Sequence, residues 1–169
     1  MAKPTLVVVS GPPGSGKTTL AHELARLVPC PAICRDEIKE GMVHAAGPGF
    51  DGDILTRRMF PLFFDVLRAL LEGGVTVVAE AAFQDRLWRP NLEPLLELAE
   101  LRIVNCVVPD EVIAERVAAR ARLAHDHVPP HPSAGFGWIT LEAPTISVDT
   151  SDGYRPALAD VAAFVSSPA

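Results

Sequence analysis

The sequence predicts a single α/β domain over residues 1–169, a three-layer sandwich in which helices cover both faces of a five-stranded, mostly parallel sheet. Two observations carry this prediction. Short apolar runs rich in β-branched residues alternate with longer stretches of helical periodicity. In addition, a chain of 169 residues makes one domain that can bury a proper core.

Five apolar runs have the composition of strands. Four of them are bounded by Gly, Pro or charged residues, as buried parallel strands are. In chain order, the predicted strands are Thr5–Val9, Ala32–Cys34, Val75–Ala79, Arg102–Val108 and Thr145–Val148.

Six segments between and after these runs repeat apolar residues at helical spacing. The predicted helices are Lys17–Leu27, Asp36–Met42, Ile54–Leu71, Asp85–Leu98, Asp110–Arg122 and Pro156–Val165. Pro61 lies inside the third helix and predicts a kink or a break there. Gly73 and Gly74 follow the same helix and predict its C-terminal cap.

Composition and charge narrow the setting. No apolar stretch approaches the roughly 20 residues that a membrane span needs, and the N-terminus leads straight into the first predicted strand rather than into a signal peptide. Three cysteines without metal-ligand spacing favour free thiols in a reducing, cytoplasmic setting. The net charge of −6 disfavours a broad nucleic-acid surface, although it leaves room for a short basic groove.

The most informative motif follows the first predicted strand. Residues 11–19 read G-P-P-G-S-G-K-T-T and match the phosphate-loop pattern G-x-x-x-x-G-K-[ST], in the strand–loop–helix setting that it requires. The glycines let successive backbone N–H groups converge on phosphate oxygens, and the following helix points its positive end at them. Lys17 would reach the β- and γ-phosphates, and the Thr18 hydroxyl would ligate Mg²⁺. The predicted ATP-binding residues are Gly11, Pro13, Gly14, Ser15, Gly16, Lys17, Thr18 and Thr19.

Arg35 and Asp36 follow the second predicted strand and open a helix. Because the carboxyl ends of parallel strands face the ligand crevice, we expect Asp36 to lie near the γ-phosphate. A carboxylate there can accept the proton of an attacking hydroxyl. The same aspartate could cap its helix, which is compatible with the catalytic role. Arg35 could clamp an anionic substrate or pair with a carboxylate.

Glu80 stands at the end of the third predicted strand, where an acidic residue of a nucleotide site is expected. It could order Mg²⁺ through water, or it could bind the hydroxyls of the acceptor. Residues 148–153 follow the last predicted strand and could contact the base of the nucleotide, or they could form a simple turn.

Arg116 and Arg120 lie four residues apart and therefore on one face of a predicted helix. They precede a segment rich in Pro, Gly and His, which predicts a short lid over about residues 120–137. Arginines delivered by a lid neutralise the charge that spreads over a transferring phosphoryl group. An ordinary solvated basic face, paired with Glu111 and Glu115, is the alternative. The three histidines of the lid match no zinc template.

Taken in order, G-P-P-G-S-G-K-T-T, R-D-E-I-K, V-V-A-E-A-A-F and E-R-V-A-A-R resemble the small P-loop kinases of the AAA_33 type. That group is similar to the kinase domain of polynucleotide 5′-hydroxyl kinases and, more distantly, to zeta toxins and chloramphenicol phosphotransferase. The resemblance covers nearly the whole chain. It implies that Asp36 is the general base and that Arg120, with Arg116, acts on the ATP phosphates. It also implies an acceptor-binding role for Glu80.

These observations together predict an ATP- and Mg²⁺-dependent kinase that phosphorylates a hydroxyl of a small molecule. A polynucleotide or nucleoside 5′-hydroxyl kinase is the first alternative, and the acidic chain and the Pro- and His-rich lid count against it. A nucleotide switch or ATPase that couples hydrolysis to a partner is the second. An aspartate after the second strand suits hydroxyl activation better than this last role.

Overall fold

The computed structural model describes residues 2–124 and 135–167, with the backbone alone for residues 121–124. Five strands form one sheet in the order β2-β3-β1-β4-β5, and neighbouring strands run parallel. The strands are β1 (Thr5–Ser10), β2 (Ala32–Cys34), β3 (Val77–Glu80), β4 (Glu100–Val107) and β5 (Thr145–Asp149). The predicted α/β class and the five-stranded parallel sheet are confirmed.

Six α-helices connect or follow the strands in the described part of the chain. They are α1 (Lys17–Leu27), α2 (Arg35–Ala46), α3 (Gly52–Glu72), α4 (Asp85–Leu92), α5 (Asp110–Ala124) and α6 (Leu158–Ser166). Helix α2 extends four residues beyond its predicted end. The segment Glu93–Glu97 forms a 3₁₀ helix instead of continuing α4. Among the described helices, none combines the length and the apolar character needed to cross a membrane.

Helix α3 runs without interruption through Pro61, so a break at this residue is not observed. Pro61 lies on the exposed face of α3, and Arg57, whose carbonyl loses its helical partner, is exposed as well. Water can therefore satisfy that carbonyl, while the buried residues Met59 and Phe63 hold the helix against the core on either side of the proline.

The predicted C-terminal cap of α3 is confirmed. Gly74 has a φ of 77°, in the left-handed region, and its N–H donates to the Leu71 carbonyl over 2.9 Å. The N–H of Val75 donates to the Leu70 carbonyl, also over 2.9 Å. These two hydrogen bonds turn the chain from α3 towards β3.

The sheet buries apolar residues on both faces because successive side chains of a strand point to opposite sides. On β1, Leu6 and Val8 belong to one cluster, and Val7 and Val9 belong to the other. The first cluster contains α3 and an aromatic group, whereas the second contains α1 and α6. The aromatic group consists of Phe60, Phe63, Phe64, Phe83 and Trp88, with ring centroids 4.8 to 6.1 Å apart.

The sheet register aligns the carboxyl ends of three strands at one edge. Val9 of β1 and Cys34 of β2 are both aligned with Glu80 of β3. The loop after β1, the start of α2 and the Glu80 carboxylate therefore meet at the carboxyl ends of neighbouring strands, where ligands bind in open parallel sheets.

Replacement of Phe63 tests the role of the aromatic group in stability. Phe63 is fully buried and contacts three other rings of the group. We expect Phe63→Ala to lower the free energy of unfolding by about 3–5 kcal/mol, because the substitution leaves a cavity. Its neighbour Leu62 is 40% exposed, and Leu62→Ala should cost only about 0.5 kcal/mol. Urea denaturation measures both changes, and equal losses would contradict this description of the core.

Candidate active site

The loop between β1 and α1 packs closely around its glycines. Gly14 and Gly16 have φ angles of 85° and 80°, in the left-handed region that favours glycine. A Cβ atom on Gly11 would lie 2.5 Å from Ser15 Oγ and 2.9 Å from the carbonyl oxygen of Cys106. No larger residue fits there without displacing β4. The loop is therefore preformed by its contacts with the rest of the domain.

Three sequence-predicted residues meet at the carboxyl end of β3. Glu80 is 2% exposed, its Oε2 accepts a hydrogen bond from Thr18 Oγ1 over 3.0 Å, and its Oε1 lies 3.8 Å from Lys17 Nζ. Burial raises the pKa of the Glu80 carboxyl, and the Asp36 carboxylate acts in the same direction. The Lys17 ammonium and the Thr18 hydroxyl oppose this rise. The buried Glu80 carboxylate therefore has an ammonium group and a hydroxyl as its compensating neighbours.

A small cavity of about 120 Å³ brings the predicted catalytic residues together. Its lining includes Lys17, Thr18, Arg35, Asp36 and Arg120. At a liquid volume of about 30 Å³ for each molecule, it holds about four waters. The phosphate loop, the start of α2 and the end of α5 thus contribute to one cavity, as the sequence-based interpretation requires.

Asp36 lies in the first turn of α2 and does not cap it. Cys34 is the residue that precedes the helix, and the helix has no side-chain cap. The Asp36 side chain is 65% exposed, and its Oδ1 accepts a hydrogen bond from Arg35 Nη1 over 2.8 Å. The carboxylate is therefore accessible to a ligand, and Arg35 pairs with it, which was one of the two roles considered for this arginine.

A larger cavity of about 500 Å³ lies on the other side of the loop residue Gly16. The residues that line both cavities are Gly16 and Arg120. Thr19, Arg116, Thr150 and Tyr154 are among the other lining residues of the larger cavity. Its volume falls within the range of small-molecule sites.

Six of the eight predicted phosphate-loop residues line one or both of the two cavities. Pro13, Gly14, Gly16, Lys17 and Thr18 line the small cavity, and Thr19 lines the large one. Ser15 is fully buried, and its Oγ has no hydrogen-bond partner in the described structure. The Ser15 N–H donates to the Pro12 carbonyl over 3.1 Å, and neither Ser15 nor Gly11 lines either of the two cavities.

The two arginines of α5 have different surroundings. Arg116 donates hydrogen bonds to three carbonyl oxygens: that of Thr150 over 2.6 Å, that of Ser151 over 3.1 Å and that of Gly14 over 3.4 Å. Thr150 Oγ1 in turn donates to the Ser15 carbonyl. Arg116 therefore ties the phosphate loop to the segment after β5. Arg120 is exposed and lines both cavities.

The predicted lid lies mostly outside the described residues. Helix α5 continues to Ala124, and the chain is described again from Gly135. The three histidines at positions 125, 127 and 131 fall between these points. The expectation of a lid over residues 120–137 therefore stays a prediction.

Sequence reasoning missed two hydrogen-bonding side chains of the larger cavity, those of Glu23 and Tyr154. Burial and a hydrogen bond with Glu23 raise the pKa of Tyr154 to about 12. Tyr154 is the only tyrosine of the chain and comes directly after Gly153. Its position next to residues 148–153, which were considered as contacts for the base of the nucleotide, could have indicated it. Glu23 lies one turn beyond Thr19 on α1 and gave no signal of its own.

The parallel sheet and the glycine-rich loop after β1 define a P-loop domain with a kinase-like fold. A family model described as an AAA domain, AAA_33, matches residues 6–131, and the chain belongs to this family. Uncharacterised proteins of Mycobacterium tuberculosis and Mycobacterium bovis are 30% identical to it over 127 residues, or 69% of this chain. The chain spans 26% of the length of these curated relatives.

Several solved structures share the fold. A candidate kinase from Chloroflexus aurantiacus has a TM-score of 0.84 at 23% identity, over 98% of this chain and 95% of that one. The APS kinase of Mycobacterium tuberculosis, solved with AMPPNP and APS, has a TM-score of 0.68 at 16% identity, over 99% and 100% of the two chains. A chain of the Pnkp1/Rnl/Hen1 RNA repair complex has a TM-score of 0.65 at 21% identity, over 77% and 42%. At these identities the likeness shows the architecture.

Alanine variants of Arg116 and Arg120 test whether the two arginines differ in their contribution to stability. Arg116→Ala leaves carbonyl oxygens of the phosphate loop and of the segment after β5 without their donor, and we expect it to cost about 1–3 kcal/mol of stability. Arg120→Ala, one turn further on the same helix, should change stability by no more than about 0.5 kcal/mol. Chemical denaturation of both variants without nucleotide measures the difference. A loss of stability in Arg120→Ala as large as in Arg116→Ala would refute the distinction.

Proposed function

We propose that the protein is a kinase that transfers the γ-phosphoryl group of ATP to a hydroxyl group of a small molecule. The observation that carries this proposal is the shared lining of the small cavity by Lys17 and Thr18 of the phosphate loop and by Asp36 of α2. An accessible carboxylate beside a phosphate loop is suited to accept the proton of an incoming hydroxyl.

The two cavities together accommodate a nucleoside triphosphate. In the proposed arrangement the base and the ribose occupy the larger cavity, beside Thr150 and Tyr154, and the phosphates extend past Gly16 to Lys17. Arg120 lines both cavities and so supplies positive charge where the phosphates would pass from one to the other. The shared fold of an APS kinase solved with AMPPNP supports this use of the site.

The oxygen atoms beside Lys17 are of the kind that Mg²⁺ prefers as ligands. The Thr18 hydroxyl and the Glu80 carboxylate are hard oxygen donors, and they lie 3.0 Å from each other. We propose that Thr18 binds the ion directly and that Glu80 acts on the metal side of the site, because its two oxygens already face Thr18 and Lys17. The ion would neutralise the negative charge of the phosphates.

The chain's own residues account for the remaining requirements of the transfer. Asp36 takes the proton from the acceptor hydroxyl, and the freed oxygen forms a bond to the γ-phosphorus. The bond between that phosphorus and the bridging oxygen of ADP breaks, so the products are a phosphate ester, ADP and a proton. Lys17 holds the phosphates, and Arg120 stabilises the charge on the transferring group.

We expect a small acceptor, because the net charge of −6 disfavours a broad nucleic-acid surface. Kinases of sugars, gluconate and APS share the fold, and a polynucleotide kinase complex shares it too. A polynucleotide acceptor would need a basic path to Asp36 and would bind with strong salt dependence.

All three cysteines are free, which supports the proposed cytoplasmic location.

A screen for acceptor-dependent consumption of ATP tests the proposed function. The panel contains sugars, sugar acids, nucleosides, aminoglycoside and phenicol antibiotics, and short oligonucleotides with a 5′-hydroxyl. We expect ADP release to rise only with a small hydroxyl compound, and mass spectrometry to show that the compound has gained a phosphoryl group. Salt-sensitive phosphorylation of the oligonucleotide alone would favour the polynucleotide kinase. ADP release that no acceptor changes would favour an ATPase or switch and overturn the proposal.

Asp36→Asn tests the assignment of the base once an acceptor is found. The substitution removes the proton acceptor and keeps the size of the side chain, so we expect phosphoryl transfer to fall about 10²- to 10⁴-fold. The affinity for ATP, measured by calorimetry, should stay within about twofold.

Two further variants serve as comparisons for Asp36→Asn. Glu40→Gln removes an exposed carboxylate one turn later on α2 and should leave the transfer rate unchanged. Lys17→Ala should instead weaken the binding of ATP. If Asp36→Asn transfers phosphate at the rate of the unmodified protein, Asp36 is not the base.

A further inference from the structure

A second group of metal-ligating side chains lies outside the phosphate site. His22 of α1, Cys34 at the end of β2 and Glu37 of α2 place one ligand atom each within 4.8 Å of one another. His22 Nε2 is 2.6 Å from Glu37 Oε1 and 3.6 Å from Cys34 Sγ. Three elements thus converge on one point, and neither the proposed phosphoryl transfer nor the nucleotide cavities use it.

One proton on His22 Nε2 cannot serve both Glu37 and Cys34, and the Cys34 thiol also hydrogen-bonds with the Glu37 and Glu80 side chains. If His22 Nε2 carries a proton, it donates to the Glu37 carboxylate, and no lone pair remains on that nitrogen for the Cys34 thiol. If Nε2 is unprotonated, it can accept from the thiol, but its lone pair then faces the carboxylate oxygen only 2.6 Å away. A divalent cation, in contrast, can accept lone pairs from a nitrogen, a sulfur and an oxygen at the same time.

One separation between ligand atoms matches a tetrahedral transition-metal site, and a second comes to match it after a small movement of Glu37. Bond lengths of about 2.3 Å to sulfur and about 2.1 Å to nitrogen, at the tetrahedral angle, separate the two ligand atoms by about 3.6 Å. The observed separation of Cys34 Sγ and His22 Nε2 is 3.6 Å. The corresponding nitrogen-to-oxygen separation is about 3.4 Å. Glu37 would have to move its oxygen outwards by less than about 1 Å, and its side chain is 49% exposed and can do so.

The site is open on one side and closed on the other. Cys34 is 2% exposed, whereas the His22 side chain is 38% exposed. The protein therefore encloses Cys34 on its buried side, and a cation can reach Cys34 from the exposed side, past His22 and Glu37. Three protein ligands leave a fourth position for water, as in open zinc sites.

We propose that His22, Cys34 and Glu37 bind a borderline-soft divalent transition metal ion, for which Zn²⁺ is the model. The thiolate and the imidazole select such an ion against Mg²⁺, which prefers oxygen ligands. The bond between Cys34 Sγ and the metal replaces the S–H bond, and the proton leaves to solvent. The three ligand atoms of this site differ from the Thr18 and Glu80 oxygens, although the Cys34 side chain also hydrogen-bonds with Glu80. Metal binding here does not depend on the proposed kinase activity.

Titration of the protein with Co²⁺ in the absence of nucleotide tests the proposal. Cobalt replaces zinc in such sites and reports a thiolate ligand by a sulfur-to-metal charge-transfer band. We expect this band to saturate at one Co²⁺ per chain, to disappear when Zn²⁺ is added and to persist in excess Mg²⁺. Absence of a charge-transfer band in the unmodified protein would overturn the proposal.

Variants identify the ligands. Cys34→Ser should abolish the charge-transfer band, and His22→Gln and Glu37→Gln should each weaken Co²⁺ binding at least about tenfold. The last two residues are partly or largely exposed, so their variants keep the test decisive if Cys34→Ser fails to fold.

Two control variants address the other thiols and imidazoles. Cys30→Ser changes a half-buried thiol outside the cluster and should keep the band. The triple variant His125→Gln, His127→Gln, His131→Gln should keep it as well. Loss of the band in either control, or its survival in Cys34→Ser, would show that the metal binds elsewhere and would refute the assignment.

Discussion

The burial of the Glu80 carboxylate is the constraint on which the candidate site depends. Glu80 ends β3, which lies between β2 and β1, so its side chain is taken out of water at the carboxyl edge of the sheet. An unpaired buried charge would cost several kcal/mol. Lys17 and Thr18, in the first turn of α1, supply an ammonium group and a hydroxyl in compensation. The position of α1, and therefore of the phosphate loop before it, is coupled to β3 through this contact.

A second set of contacts connects the loop to the opposite half of the domain. Arg116 reaches from α5 to the carbonyl oxygens of Gly14 and Thr150, and the hydroxyl of Thr150 reaches the Ser15 carbonyl. Without these protein donors, the carbonyl oxygens would need water as a hydrogen-bond partner. These contacts hold the loop between β3 on one side and the segment after β5 on the other, and they fix the course of its backbone.

Local patterns were sufficient to predict the residues that meet at the carboxyl edge of the sheet. The phosphate-loop motif indicated Lys17 and Thr18, and the rule that strand ends carry ligands indicated Asp36 and Glu80. Arg116 and Arg120 were predicted to act together because a spacing of four residues places both on one face of α5. Spacing does not report what a side chain reaches, and the structure separates the buried contacts of Arg116 from the exposed position of Arg120.

Short-range sequence patterns predicted the α/β class, the parallel sheet and the place of the phosphate loop, because periodicity and glycine-rich turns act over short stretches of chain. Only the tertiary structure decided that α3 continues through Pro61, since that outcome depends on which face of the helix meets solvent. Only the tertiary structure brought His22 to Cys34 and Glu37, and Tyr154 to the larger cavity. His22, Cys34 and Tyr154 belong to different elements of the chain. The order of the strands in the sheet decides which of these elements become neighbours.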